Sequence, residues 1–356
     1  MILWKPSMLR GNAMQQQNSS PQGGELRVSA ASCSDTGRVR THNEDAILLC
    51  EPKDQAVSAQ FGWLYLLADG AGGHAAGEVA SQLAVETIAA TYYNCATSRH
   101  ALENAPPSQG RVSHLHGPLA DLAAPTMQLQ RAFLAAHTRI REVASLKQEY
   151  AGMITTCIAA VVKGAHLLIA HVGDSRAYLI RPLSASPPTI TRLTTDHSLV
   201  IELARAGVIS PEQMQSSPSR HIILRALGGR EQNSPNPDIT TCVVQAGDAV
   251  LLCCDGLWSM LTEEQIALVV GHMPAEVACA ELIRLANEAG GEDNISAVVL
   301  SFMKGACKTG NTIHQERTYG NRYAKERSQA TITSKDYSAQ VRFADRCHEL
   351  FRRFHL

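Results

Sequence analysis

Four aspartates stand beside short apolar runs, a placement that could bring their carboxylates together. They are Asp69 after residues 63–68, Asp174 after 166–172, Asp255 after 249–254, and Asp293 before 295–302. Apolar runs of this length are typical of buried strands. If the ends of these strands lie together at one edge of a sheet, the four carboxylates are close to one another.

Like charges gathered in one place repel one another, and a divalent cation with oxygen ligands is the usual remedy. Asp69 is followed by Gly70 and by further glycines that allow the backbone to approach a ligand closely. An Asp-Gly pair is also an ordinary turn dipeptide. The hypothesis of a metal site therefore depends on all four aspartates together.

The composition limits the class of protein. The chain has 356 residues, 45% of them hydrophobic and 18% charged, which fits one large or two small globular domains. A net charge of −1 gives no overall attraction to nucleic acid. Ten cysteines without a C-x-x-C pair indicate a reducing compartment. The start shows no signal sequence and no run of eighteen apolar residues occurs, so we predict a cytoplasmic protein.

The order of elements indicates an α+β fold. We predict a disordered leader over residues 1–25, helices over about 75–96 and 126–147, and a surface insertion over about 98–125. The second helix is expected to bury Met127, Leu134, Ile140 and Val143. The runs 155–162, 166–172, 177–181 and 189–193 have the spacing of an antiparallel meander. Strands flanked by pairs of helices fit two packed antiparallel sheets, although other layered folds stay open.

Six motifs, in this order, resemble those of the metal-dependent type 2C serine/threonine protein phosphatases of the bacterial type. They are Gly37-x-x-Arg40-x-x-Asn43-Glu44-Asp45, Asp69-Gly70-x-Gly72-Gly73-His74, Gly173-Asp174-Ser175-Arg176, Thr195-Asp196-His197-Ser198, Asp255-Gly256-Leu257-Trp258 and Gly291-x-Asp293-Asn294. The resemblance covers residues 26–303. It implies a four-layer αββα sandwich with helix pairs on both outer faces, and a variable flap over about 197–230.

The resemblance also assigns roles to individual residues. It implies that Asp69, the Gly70 carbonyl, Asp255 and Asp293 hold two ions. A weaker third ion is implied at Asp174 together with Asp255. The donors are oxygens, which favours Mn²⁺ or Mg²⁺ over Zn²⁺. With Asp69 bridging the ions, a bridging hydroxide would attack the phosphorus in line.

The loop around residue 40 carries three further assignments by resemblance. Arg40 is implied to bind the substrate phosphate, for which a guanidinium is well shaped. Glu44 and Asp45 are implied to support the ligands and their waters from behind. Two departures from the family stand out: Ile154 replaces a usual glycine, and Ala71 stands where eukaryotic members carry a histidine. We assign the nearby His74 a structural role.

Two other functions remain open at this point. An inactive member of the fold could serve as a binding or regulatory module, but such proteins typically lose a ligand and this chain keeps them. A two-metal nuclease would need a basic groove, whereas residues 1–303 carry 21 basic and 28 acidic side chains. We therefore expect phosphoserine and phosphothreonine proteins as partners, substrates of a serine/threonine kinase, and no nucleic acid.

The tail, residues 304–356, lies beyond the resemblance. It carries 11 basic and 5 acidic side chains, a net charge of +6. The spacing of Phe343, Cys347, Leu350, Phe351 and Phe354 predicts a short basic amphipathic helix. Such a helix could pack on the acidic body, or dock to a partner or an anionic surface.

Overall fold

Strands and helices of the described chain alternate in the manner of an α+β domain. The computed structural model describes residues 26–71, 76–94, 120–183, 186–229 and 235–305. The strands are β1 (Leu26–Asp35), β2 (Asp45–Cys50), β3 (Trp63–Ala71), β4 (Ile154–Thr155), β5 (Cys157–Lys163), β6 (His166–Val172), β7 (Arg176–Leu183), β8 (Ser186–Arg192), β9 (Leu227–Gly228), β10 (Asp238–Val243), β11 (Ala249–Cys253) and β12 (Ile295–Lys304). The α-helices are α1 (Gln55–Phe61), α2 (Ala76–Asn94), α3 (Ala123–Leu146), α4 (Leu199–Arg205), α5 (Pro211–Ser216), α6 (Asp255–Trp258), α7 (Glu263–His272) and α8 (Ala275–Glu288). Short 3₁₀ turns occupy Ala120–Leu122 and Gln148–Tyr150.

The strands form two antiparallel sheets. A five-stranded sheet has the order β1-β12-β11-β7-β8. A seven-stranded sheet has the order β10-β6-β5-β3-β4-β9, with β2 paired to β3. Strand β3 is covered by helices on one face and by the other sheet on the opposite face, which explains its unbroken apolar sequence.

The side chains of β3 show how the layers are separated. Leu64 and Leu66 join an apolar cluster with α2 and α3, whereas Tyr65 and Leu67 join a second cluster with residues of the other sheet. Successive side chains of a strand point to opposite faces. The alternation therefore places one core between the sheets and another beneath the helices.

Each sheet is covered by a pair of helices. Helices α2 and α3 pack against each other, and α2 packs on β2 and β3. On the other side, α8 lies on β1 and β12, and α7 lies on β7 and β8. This arrangement confirms the predicted αββα sandwich. In the part of the chain that the structure describes, no helix is long and apolar enough to cross a membrane.

The predicted antiparallel meander is wrong. Strands β5 and β6 pair in the seven-stranded sheet, whereas β7 and β8 pair in the five-stranded sheet. The chain changes sheets at Gly173, whose φ of 109° is open to glycine but rarely to other residues. A Cβ at this position would also lie 2.5 Å from the Cβ of Thr156. Turn-length gaps do not reveal that a hairpin has moved to another sheet.

The predicted buried face of the second long helix is partly wrong. Met127 and Leu134 are 46% and 52% exposed. The buried side runs instead through Leu129, Phe133 and Ile140. Buried alanines, Ala132 and Ala136, belong to the apolar face of this helix. The prediction relied on large side chains, and two of these, Met127 and Leu134, lie at the exposed edge of that face.

Several predicted boundaries differ from the observed ones. Helix α3 begins at Ala123, so the predicted insertion over 98–125 extends too far at its C-terminal end. Residues 98–119 of that insertion lie outside the described residues, as do the leader 1–25, residues 306–356 of the tail, and His74. Strand β10 and helix α1 were missed, although the β-branched residues of β10 offered a signal.

We expect Leu300→Ala to lower the free energy of unfolding by about 2–5 kcal/mol, because Leu300 is fully buried between the sheets. Met303→Ala is the matched control, since Met303 lies on the same strand and is 48% exposed. Its effect should stay within about 0.5 kcal/mol. Urea unfolding of the two variants tests this, and equal losses would contradict the two-sheet core.

Candidate functional site

The four aspartates singled out in the sequence lie where the two sheets end beside each other. Asp69 is near the end of β3, Asp255 begins α6 two residues after the end of β11, and Asp293 precedes β12. Asp174 follows Gly173 in the crossing between the sheets. The structure brings all of them into one electrostatic cluster, because Asp45, Asp255, Asp174 and Asp293 all raise the pKa of Asp69.

Burial and mutual repulsion raise the pKa values of Asp69, Asp174 and Asp255. Burial is the main cause that raises the pKa of Asp69 well above its usual range. Burial and Asp255 raise the pKa of Asp174 to about 8. Burial and Asp293 raise the pKa of Asp255, and a hydrogen bond with Asp69 offsets part of that rise. Such a group of acids favours protonation or a bound cation over the free charges.

Asp45 lies directly opposite Asp69 in the pairing of β2 with β3. Burial, together with Asp255 and Asp293, raises the pKa of Asp45 to about 7, although the Ser296 hydroxyl and the Cys254 thiol lower it. Both its carboxylate oxygens are buried, and neither has a hydrogen-bond partner of regular geometry among the described residues. Two acids facing each other across a strand pair would destabilise the fold without a compensating positive charge. This donor set therefore fits a cation held between the sheets.

A thiol also lies at this centre, which the prediction of oxygen donors alone had left out. Potential ligand atoms of Asp45, Asp69 and Cys254 lie within 4.8 Å of one another. The Cys254 thiol donates to the Asn294 carbonyl at 3.2 Å and accepts from the Ser296 amide at 3.1 Å. Burial raises its pKa well above the usual value, so we interpret Cys254 as a neutral packing group.

The backbone at Asp69 is fixed by neighbouring threonines. The Thr156 amide and the Thr155 hydroxyl both donate to the Asp69 carbonyl, at 2.8 Å and 2.9 Å. The Asp69 amide donates to the Thr156 hydroxyl at 3.3 Å. Ile154, which replaces the usual glycine of the family, pairs regularly with Ala71 in the same ladder. The branched side chain is therefore accommodated there.

Gly70 lies where backbone segments approach each other closely. A Cβ on Gly70 would lie 2.1 Å from the Gly77 carbonyl oxygen and 2.7 Å from that of Glu44. The Gly70 amide donates to the Glu44 carbonyl at 3.2 Å. Only glycine fits, so the residue after Asp69 presents backbone rather than a side chain at the centre.

The loop that carries Arg40 is attached to the centre by Asn294. The Asn294 side chain donates to the carbonyls of Thr36 and His42, and its oxygen accepts from the Glu44 amide. The sequence motif contained Asn294, but reasoning from residue types gave it no role. Its three bonds span about 250 residues of sequence, which no local pattern reveals.

Arg40 lies at the exposed side of the cluster. Its Nη2 atom is 2.6 Å from Oδ2 of Asp293, and its side chain is 52% exposed. Glu44 lies close by: burial raises its pKa, and Arg40 opposes that shift. One guanidinium thus faces both solvent and the carboxylates, as a group that binds an incoming anion would.

The turn at Asp174 is fixed by residues to which sequence reasoning gave no role. The Gly173 amide donates to Nδ1 of His197 at 3.0 Å, and the His197 amide donates to the Gly173 carbonyl at 2.9 Å. The Trp258 indole donates to the Asp174 carbonyl at 3.0 Å. These contacts hold the Asp174 backbone from both sides of the crossing.

A second group of potential ligands lies behind this turn, formed by His171, His197 and Asp238 within 4.8 Å of one another. The two imidazole rings are stacked with centroids 4.6 Å apart and planes only 7° apart. An ion bound by imidazole lies in the plane of the ring, and two parallel planes share no such point. The group is therefore a hydrogen-bonded stack, in which Nε2 of His197 faces Asp238 at 3.2 Å.

Comparisons with known proteins agree with this geometry. The family model described as "Protein phosphatase 2C" matches residues 37–299. A serine/threonine phosphatase, Stp, of Listeria innocua is 33% identical over 270 residues, 75% of this chain and 93% of that protein. The serine/threonine protein phosphatase PstP of Mycobacterium tuberculosis is 35% identical over 271 residues. This match covers 76% of the chain but only 44% of the length of PstP.

Solved structures extend the likeness to the fold. The crystal structure of PstP from M. tuberculosis superposes with a TM-score of 0.59 at 34% identity and covers 78% of this chain and 99% of that one. The catalytic domain of PstP in complex with two manganese ions superposes with a TM-score of 0.58 at 32% identity, with the same coverage. The fold and the carboxylate cluster define a phosphatase-type α+β sandwich. The chain belongs to the protein phosphatase 2C family.

We expect His197 to make the stability of the protein depend on pH. Burial, with His171 and Arg225 nearby, lowers its pKa to about 4, against about 6.5 in the unfolded chain. Between these values the unfolded chain binds more protons, so the free energy of unfolding falls as the pH falls from 6.5 to 4. The full loss from this group is on the order of 3 kcal/mol.

The check is urea unfolding of the metal-free protein and of His197→Asn at several pH values. The carboxylate cluster is common to both proteins and cancels in their difference. That difference in stability should shrink as the pH falls through this window. Parallel curves for the two proteins would contradict the assignment.

Proposed function

We propose that the chain is a metal-dependent protein phosphatase that hydrolyses phosphoserine and phosphothreonine in proteins. The observation that carries the proposal is the group of carboxylates gathered where the two sheets end, with Asp45 opposite Asp69 and with Asp293 paired to the half-exposed Arg40. Membership of the protein phosphatase 2C family supports it. So do relatives named serine/threonine phosphatases, one of which has been solved with two manganese ions.

In this proposal Asp69, the Gly70 carbonyl, Asp255 and Asp293 hold two Mn²⁺ or Mg²⁺ ions. Asp174 and Asp255 share a weaker third ion. Bound there, two such ions would supply a hydroxide for in-line attack on the phosphorus and would balance the charge that develops on the phosphoryl group. Glu44 and Asp45 support the ligands from behind, Asp45 from its place opposite Asp69.

Arg40 binds the phosphoryl oxygens of the substrate. Its planar fork of donors suits phosphate, and its charge opposes the negative charge that moves onto the leaving oxygen. Because Arg40 is half exposed while it is paired with Asp293, it can bind an incoming group without disturbing the buried core. The partners are phosphoproteins made by serine/threonine kinases, and nucleic acid is not among them.

The test of this function is an assay with added Mn²⁺ on a phosphothreonine peptide and, in parallel, on an oligonucleotide. We expect hydrolysis of the peptide alone, and Asp255→Asn or Asp293→Asn should reduce kcat more than about 100-fold, because loss of even an outer-shell partner costs about 10–100-fold. Glu292→Gln is the matched control: it removes an exposed carboxylate next to Asp293 and should retain activity.

Cleavage of the oligonucleotide instead would favour a nuclease. A protein that binds Mn²⁺ but acts on neither substrate would favour a binding module. Near-native turnover by either asparagine variant at saturating Mn²⁺ would contradict the metal assignment.

Arg40→Ala should lower kcat/KM for the phosphopeptide by the equivalent of about 2–4 kcal/mol, the range for a charged bond used in the transition state. Mn²⁺ affinity measured by calorimetry should stay nearly unchanged. Arg38→Ala, which removes another exposed arginine of the same loop, is the control and should behave like the wild type. An equally large loss of Mn²⁺ binding in Arg40→Ala would show that Arg40 acts on the metal site.

A further inference from the structure

One hydrogen bond joins the segments that carry Asp174 and Asp255. Trp258 lies three residues after Asp255 in the single helical turn α6. Its indole Nε1 donates to the backbone carbonyl of Asp174 at 3.0 Å. Helix α6 begins with Asp255, and its Trp258 side chain therefore holds the backbone of Asp174.

The indole ring is itself firmly placed. The guanidinium carbon of Arg176 lies 3.4 Å from the Trp258 ring centroid, in a cation–π contact. Arg176 is held in turn by Asp196, with its Nε and Nη2 atoms 3.1 Å and 2.8 Å from the two carboxylate oxygens. The Arg176–Asp196 pair is largely buried. Because this ion pair fixes Arg176, the ring cannot swing away from Asp174 without losing its cation–π contact.

The two residues that Trp258 connects carry like charges, and Asp174 is buried, so their carboxylates repel each other when both are ionised. Glycine is the most flexible residue, so the conformation of the crossing at Gly173 is set by contacts with its neighbours. Without an anchor, the turn that carries Asp174 would relax away from Asp255.

We infer that Trp258 is a positioning residue that sets the separation of Asp174 from Asp255 and thereby the affinity for a cation shared by the two. The inference rests on the proposed function, which assigns this cation to Asp174 and Asp255. It adds that the weak site is controlled by a side chain that does not touch the ion. The indole is then also an optical reporter of the occupancy of the site.

Trp258→Phe is the direct test, since phenylalanine keeps a ring for Arg176 to stack on and removes only the Nε1 donor. Calorimetry with Mn²⁺ and with Mg²⁺ should show the two tight ions unchanged. The weak ion should bind about three- to tenfold less tightly, as expected for loss of one neutral hydrogen bond. Trp63→Phe, at the start of β3, is the matched control and should bind all ions like the wild type.

The steady-state readout separates positioning from general damage. In Trp258→Phe the Mn²⁺ concentration for half-maximal turnover at the weak site should rise by the same factor, while kcat at saturating Mn²⁺ recovers. A purely structural role would lower kcat at every Mn²⁺ concentration. Unchanged affinity for the weak ion in a folded Trp258→Phe protein overturns the inference.

A second measurement leaves Trp258 in place. The chain has three tryptophans, so Trp4→Phe with Trp63→Phe leaves Trp258 as the sole emitter. Titration with Mg²⁺, which is diamagnetic, should change the emission in a weak phase after the tight ions are bound. Adding Asp174→Asn should abolish this phase. A weak ion seen by calorimetry without any change in Trp258 emission overturns the inference even if Trp258→Phe fails to fold.

The outcomes distinguish this inference from the proposed function. A wild-type protein that neither binds the tight ions nor hydrolyses the phosphopeptide refutes both. A wild-type protein that hydrolyses the peptide but binds only two ions refutes the inference alone. Normal hydrolysis with identical weak binding in Trp258→Phe also refutes the inference alone.

Discussion

The repulsion among carboxylates buried where the two sheets end is the constraint on which the rest of the structure depends. Asp69 belongs to the seven-stranded sheet, whereas Asp255 and Asp293 adjoin strands of the five-stranded sheet. Packing the apolar faces of the sheets together therefore also forces these charges together. The apolar core between the sheets offsets the repulsion, and a divalent cation would remove it. The same packing thus stabilises the fold and creates the demand for a metal.

Neutral hydrogen bonds, rather than ion pairs, fix the backbone of the charged residues. Thr155 and Thr156 hold Asp69, and Asn294 attaches the loop of Glu44 to the start of β12. A basic residue in these places would neutralise the carboxylates and compete with a cation. Arg40 pairs with Asp293 on the side of the cluster that faces solvent, where the proposed function has it bind a phosphoryl group. Threonine and asparagine position the acids without reducing their charge.

Much of this site could be predicted because its signals are local. An apolar run that ends in an aspartate predicts a buried strand with a carboxylate at its end. The order of the motifs predicted the αββα sandwich through the resemblance to a known family. What failed depends on contacts distant in sequence. The chain passes from one sheet to the other at Gly173, where the Thr156 side chain leaves no room for a Cβ. The hydrogen bond from Trp258 to Asp174 spans 84 residues of sequence. The proximity of Cys254 to Asp45 and Asp69 is visible only in the three-dimensional structure.

The crossing at Gly173 also connects the cluster to both ends of the segment 197–229, the region assigned to the flap by resemblance. His197, at its beginning, makes two hydrogen bonds to Gly173. Arg225, near its end, pairs with Asp238 at 2.7 Å, and Asp238 faces the His197 ring. A displacement of His197 strains its bonds to the residue before Asp174, and a displacement of Arg225 reaches those bonds through Asp238. The geometry at Asp174 therefore depends on the position of that segment, and a weak cation held there, as proposed, would depend on it too.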